Sequence, residues 1–171
     1  TEHFFSQEPQ KGLYKEALKL YEQGKYRETA KKLLEIDIAD EHAIELLART
    51  LANQGELAEA LEWCNKAITT NKMNPCFHYL RAIILQEQHQ LEEAMTSLRR
   101  TLYLDPNFVL AYVALANLSR QQGKLQESRK HFDNVRQLLQ DYDPDEVLPE
   151  SDGMTAGRLG EIVNAMLSTE V

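Results

Sequence analysis

The sequence predicts an all-α fold built from repeated helical hairpins, and three observations lead there. The helix breakers Gly24, Gly55, His89 and Gly123 are spaced 31, 34 and 34 residues apart. The segments after them, GKYRETAKKLL, GELAEALEWCNKAI, HQLEEAMTSLRRTL and GKLQESRKHFDNV, carry the same pattern of large and small residues. Each breaker also sits between two helix-like segments, and such a period marks a repeat array.

Each element has its local reason. A breaker must adopt a left-handed conformation to turn one helix into the next, which glycine does without a Cβ clash. His89 departs from this and is expected to carry a small strain. Two positions after each breaker stands a large residue, Tyr26, Leu57, Leu91 or Leu125, and five positions after it a small one, Thr29, Ala60, Ala94 or Ser128. Seven positions before it stands an alanine, Ala17, Ala48, Ala82 or Ala116. Small side chains at both places let antiparallel helices approach closely. The first copy is the poorest, being three residues short and having Thr29 where alanine fits best. Pro106, in LDP at 104–106, ends the second helix of the third copy.

The pattern resembles the tetratricopeptide repeat, a helix-turn-helix unit of 34 residues. The fourth copy matches best, with Tyr112, Leu115, Ala116, Gly123, Ser128 and Phe132 at the large, large, small, Gly, small and aromatic positions. The expected architecture is a solenoid of about four such repeats with a C-terminal amphipathic capping helix. Its parts are a lead-in over 1–9, repeats at about 10–40, 41–74, 75–108 and 109–140, an acidic Pro/Gly linker over 141–153, and a final helix over 154–168. A chain that opens at Thr1 is expected to be cut from a longer one.

Composition excludes several partners. With a formal net charge of −8, the surface repels phosphate backbones, so nucleic acid is not expected. The longest apolar stretch, FVLAYVALANL at 108–118, falls short of the roughly 20 residues of a membrane span, and no basic-plus-apolar signal peptide opens the chain. Cys64 and Cys76 give neither a disulfide framework nor zinc spacing, in keeping with a reducing cytoplasm. Cys64 reads as a packed thiol, Cys76 as a weakly exposed one, and Trp63 as packing between repeats.

No catalytic chemistry is apparent. His3, His42, His78, His89 and His131 lack metal-ligand spacing and read as ordinary surface or turn histidines. Glu92 and Glu93 read as a solvated helix face. DGMTAG lacks the lysine, the spacing and the preceding strand of a phosphate loop. No catalytic residue, metal or cofactor is expected in this chain.

The repeat resemblance implies that the first helix of each pair lines a groove through its second, fifth, ninth and twelfth positions. Among these are Tyr14 and Tyr21, His42 and Arg49, then Tyr79, Ile83 and Gln86, and finally Leu110, Val113, Asn117 and Arg120. Such a groove holds either a segment of a partner protein or a cap helix of the same chain. In chaperone-binding members a Lys and Asn clamp grips a terminal carboxylate; here Tyr14 and Leu18 stand at those first-copy positions, against a chaperone adaptor.

After Gln140 the repeat stops. Thr155 can cap a new helix, and Leu159, Ile162, Val163 and Met166 form an apolar stripe that must dock on something. Gly157 and Gly160 each weaken such a helix by about 1 kcal/mol relative to alanine, so a close backbone approach is expected there. LDPNFVLAYVALANLSRQQGKLQESRKHFDNVRQLL followed by DEVLPESDGMTAGRLGEIV resembles the C-terminal end of chemoreceptor methyltransferases that carry tetratricopeptide repeats. That family transfers methyl groups from S-adenosylmethionine to receptor glutamates through an upstream domain that nothing here matches. The resemblance implies a non-catalytic docking or regulatory module whose partner is a chemoreceptor, a signalling protein or its own chain. A free-standing repeat adaptor in an assembly or secretion system is the alternative.

Overall fold

A computed structural model describes residues 7–36 and 40–169, and His3 and most of the 1–9 lead-in lie outside them. The chain divides into two compact units, Thr1–Gln90 and Leu91–Val171. The first contains α1 (Gln7–Glu22), α2 (Tyr26–Leu33), α3 (Glu41–Asn53), α4 (Leu57–Thr70) and α5 (Pro75–Glu87). The second contains α6 (Leu91–Leu104), α7 (Val109–Gln121), α8 (Leu125–Leu139) and α9 (Ala156–Ser168). The described residues form no named strand; one isolated bridge joins Val147 and Thr155.

The turns inside the repeats share one geometry. Gly55 has φ +82, its N–H donates to the Ala52 carbonyl at 3.0 Å, and that of Glu56 donates to Leu51 at 2.9 Å. This pair of bonds satisfies the last carbonyls of α3 and demands a left-handed residue. Gly24 and Gly123 repeat it at φ +74 and +75. His89 adopts φ +60 in the same motif, with N–H to Gln86 at 3.0 Å and Gln90 N–H to Leu85 at 2.9 Å.

The small residues lie where helices meet. Ala17, Ala48, Ala82 and Ala116, together with Thr29, Ala60, Ala94 and Ser128, are each at most 1% exposed. The Thr29 hydroxyl donates to the Lys25 carbonyl at 2.8 Å, so it is buried without losing its hydrogen bond. The short spacing of the first copy falls on α2, which has only 8 residues.

Within the first unit α1 pairs with α2 and α3 with α4, while α3 also packs on α2 and α5 on α4. Leu33, Leu46, Leu47, Leu51, Leu80 and Ile84 form its main core. Two helices begin with side-chain caps: Asp40 accepts from Ala43 N–H at 3.0 Å, and Asn74 accepts from Cys76 N–H at 3.0 Å ahead of Pro75.

Within the second unit α7 and α8 form a hairpin, α6 packs on α7, and α9 packs on α8. The segment 141–153, expected to be a linker, is a folded loop. Leu148 N–H donates to Met154 at 2.9 Å, and Ala156 N–H to Glu146 at 2.9 Å. The Ser151 hydroxyl donates to the Leu148 carbonyl at 2.6 Å and accepts from Met154 N–H at 3.0 Å. Glu150, Asp152 and Gly153 all have positive φ, a sharp reversal that lets Leu148 turn into the core. Thr155 then caps α9 by accepting from Arg158 N–H at 3.2 Å.

Candidate protein-binding site

In the first unit the expected groove residues stand on α1, α3 and α5. The rings of Tyr14 and His42 lie 6.4 Å apart, tilted by 57°. The Tyr21 hydroxyl accepts from Asn53 Nδ2 at 3.0 Å, and its ring packs 5.5 Å from that of Tyr26. Arg49 bonds Glu45 across one helical turn at 3.1 Å. Burial pushes the Glu45 carboxyl above its ordinary range, against the pull of Arg49 and then His42. Burial, then the charges of Glu45 and Asp40, raise the Tyr14 phenol above 10.0, with Arg49 opposing, so Tyr14 keeps its proton. Tyr79, Ile83 and Gln86 are half-buried on α5, as is Cys76.

Beside Tyr14 opens a cleft of about 370 Å³. From α1 it is lined by Lys11, Tyr14 and Lys15, and from the start of α3 by Asp40, His42 and Ala43, with Ile36 between. Lys11, Lys15 and His42 are exposed. Sequence reasoning placed Tyr14 and His42 in the groove but gave no role to Lys15 or Ile36; the one-turn spacing from Lys11 to Lys15 was the available signal.

In the second unit part of the expected groove set meets part of the expected α9 stripe. Leu110 and Val113, assigned to the groove, pack in the same apolar cluster as Leu159, Val163 and Met166 of α9. Arg120 Nη1 lies 3.0 Å from the Met166 sulfur. Ile162 and Asn117 are half-buried. The cluster also takes in Val135, Leu138 and Leu139 of α8 and Leu148 and Tyr142 of the loop. Leu148 stands among Asp, Glu and Pro residues, with no periodic neighbours to mark it.

Other side chains correct or refine the sequence reading. His78 is a core histidine rather than a surface or turn one: it is 5% exposed and its Nε2 lies 2.9 Å from the Lys72 carbonyl. Its position on α5 turns it toward the chain leaving α4. Of the two helix glycines, only Gly157 meets a close backbone: a Cβ there would lie 2.9 Å from the Pro144 oxygen, whereas one at Gly160 would meet Leu139 at an ordinary 3.9 Å. Burial raises the Cys64 thiol to about 12, so it stays protonated and inert. Trp63 packs against two apolar clusters, with Lys66 Nζ 4.6 Å over its ring.

The family model for the tetratricopeptide repeat matches residues 14–75 and 79–142. The chain belongs to the tetratricopeptide-repeat family. A TPR repeat-containing thioredoxin, TTL4 of Arabidopsis thaliana, is 28% identical over 96 residues, 56% of this chain but 14% of its own length. The chain thus spans about a seventh of that relative. MamA from Desulfovibrio magneticus RS-1 is similar in structure, with a TM-score of 0.69 and 18% identity over 78% of this chain and 77% of that one. The Yersinia enterocolitica type III secretion translocator chaperone SycD gives 0.66 and 17% identity, covering 80% and 94%. Tetratricopeptide repeats bind proteins or peptides, and this chain is an interaction module of that kind rather than a catalytic fold. Among the described residues, no helix is long and apolar enough to cross a membrane.

Proposed function

We propose that this tetratricopeptide-repeat chain is the docking module of a cytoplasmic chemoreceptor methyltransferase, bringing the enzyme to a receptor or signalling protein through the groove of its first unit. The tail carries this reading. Its resemblance to the end of those methyltransferases rests on residues with specific work to do: Ser151 ties the loop, Thr155 caps α9, and Gly157 lies against Pro144. Composition alone would not require that order. Methyl transfer itself belongs to a domain outside this chain, and none of the 171 residues is assigned a catalytic or cofactor-binding role.

The α9 stripe shares its cluster with Leu110 and Val113, which supports a self-covering role: α9 covers expected groove positions of α7 within the second unit, and those of the first unit serve the partner. The reading frame upstream of Thr1 should encode a methyltransferase domain. In the parent enzyme, deleting the repeats should slow methylation of the receptor without changing affinity for S-adenosylmethionine. An upstream frame without that domain would hand the same groove to the free-standing adaptor. For the self-covering part, removing residues 154–171 should change the affinity for a receptor cytoplasmic fragment; unchanged affinity would refute it.

A further inference from the structure

We propose that the cleft between α1 and α3 takes an extended acidic segment of the partner protein, one with carboxylates at alternating positions and apolar residues between or beside them. The inference rests on the groove of the first unit being the partner's docking face, and it specifies what that face selects.

Charge complementarity is the first support. The chain carries a net charge of −8, so its surface at large repels acidic segments, yet among the described residues this cleft sets Lys11, Lys15 and the His42 ring against one lining acid, Asp40. The nearby acids keep their charge but are held by contacts within the chain. Asp40 accepts from Ala43 N–H at 3.0 Å, Glu45 is bonded to Arg49 at 3.1 Å, and Glu16 reaches Lys32 at 3.1 Å. Among the described residues, neither Lys11 nor Lys15 has an ion-pair partner.

Spacing supplies the shape of the ligand. Lys11 and Lys15 stand one turn apart on α1, a rise of about 6 Å along the helix axis. In an extended strand, residues two apart are separated by about 6.6 Å and face the same side. Two carboxylates in a Glu-x-Glu arrangement therefore match two lysines, where a single terminal carboxylate would engage one. The floor of the cleft explains the apolar requirement. Ile36 is 4% exposed, as is Ala43, and the tilted Tyr14 ring walls one side. A space of about 370 Å³ suits one or two side chains rather than a whole helix, which is about 10–12 Å across.

The test is fluorescence anisotropy of the full chain with labelled pentapeptides of alternating Glu and Phe, both ends blocked, against the matching Lys and Phe peptide. The acidic peptide should bind and the basic one should not, with affinity falling as salt is added. Lys11→Glu with Lys15→Glu should weaken binding about tenfold, the scale of two exposed charge contacts. Lys124→Glu with Lys130→Glu, exposed positions in the second unit with the same change in net charge, should leave it unchanged. Circular dichroism of both variants checks the fold. Equal binding of the two peptides, no binding of the acidic one, or equal losses in the two variants would overturn the proposal. A receptor fragment that binds the wild-type chain and the Lys11→Glu/Lys15→Glu variant equally would overturn it too, while the docking reading would stand.

Discussion

The Gly157 N–H donates to the Pro144 carbonyl at 2.9 Å, and a Cβ built on Gly157 would lie 2.9 Å from that same oxygen. The first turn of α9 is thus pressed against the loop that leads into it. The loop has little room to give, because Ala156 N–H is bonded to Glu146 and Leu148 is buried. Gly157→Ala gains about 1 kcal/mol of helix propensity but forces an overlap of the kind that costs about 1–3 kcal/mol. A net loss of about 1 kcal/mol is expected. Gly160→Ala makes only ordinary contact with Leu139, so its propensity gain should survive and stabilise the chain by up to about 1 kcal/mol. Urea unfolding of both variants reads the opposite signs; a shift in the same direction for both would refute the contact.

His89 is the one breaker that is not glycine, and it holds φ +60. A left-handed conformation costs an L-residue about 1–2 kcal/mol, while glycine costs about 0.5–1 kcal/mol more in unfolded-state entropy. His89→Gly should therefore stabilise the chain by up to about 1 kcal/mol, whereas Gly55→Ala, at φ +82, should cost about as much. Thermal unfolding of the two single variants checks this.

How far the sequence reaches depends on whether a position is fixed by a repeated constraint. The four breakers and the eight small residues were readable because each recurs: Ala17, Ala48, Ala82 and Ala116 answer the same packing demand four times. The loop over 141–153 was not, because its order comes from contacts made once. Ser151 bonds Leu148 and Met154, and Leu148 turns inward at a place with no period to predict it. For the same reason Gly157 and Gly160 looked alike in sequence, though only one meets a backbone. The expected groove residues of the first unit came from repeat positions, and Lys15, which lines the cleft beside Tyr14, falls outside those positions.

Removing the tail contacts should hurt the second unit in proportion to burial. Leu159 is 3% exposed and packs with Val135 and Phe132 in one cluster. Leu159→Ala should cost about 2–4 kcal/mol through lost transfer energy and the cavity left behind. Glu161→Ala, on the exposed face of the same helix and paired with Arg158 at 3.2 Å, should cost less than about 0.5 kcal/mol. Hydrogen exchange would localise the Leu159→Ala effect: faster exchange in α8 and α9, with α3 and α4 unchanged. Uniform acceleration across both units would contradict a cap that acts within its own unit.

His131 gives the second unit a dependence on pH. The side chain is half-buried on α8, its ring 6.4 Å from that of Tyr112. Burial is the main cause that lowers its pKa below 6.5; Glu127 pulls it up and Arg99 pushes it further down. A depressed folded-state pKa means that the unfolded chain takes up the proton first. The favourable contribution of neutral His131 is therefore complete above 6.5 and is lost as pH falls from there through the folded-state value. Glu45, raised by burial, has the opposite sign, since protonating it on acidification relieves a buried charge. Removing His131 should therefore isolate the loss: His131→Phe keeps a ring beside Tyr112 and cannot titrate. Urea midpoints measured above pH 6.5 and at successively lower pH should fall more on acidification for the wild type than for His131→Phe. Equal falls would show that the His131 ring is hydrated as freely in the folded chain as in the unfolded one.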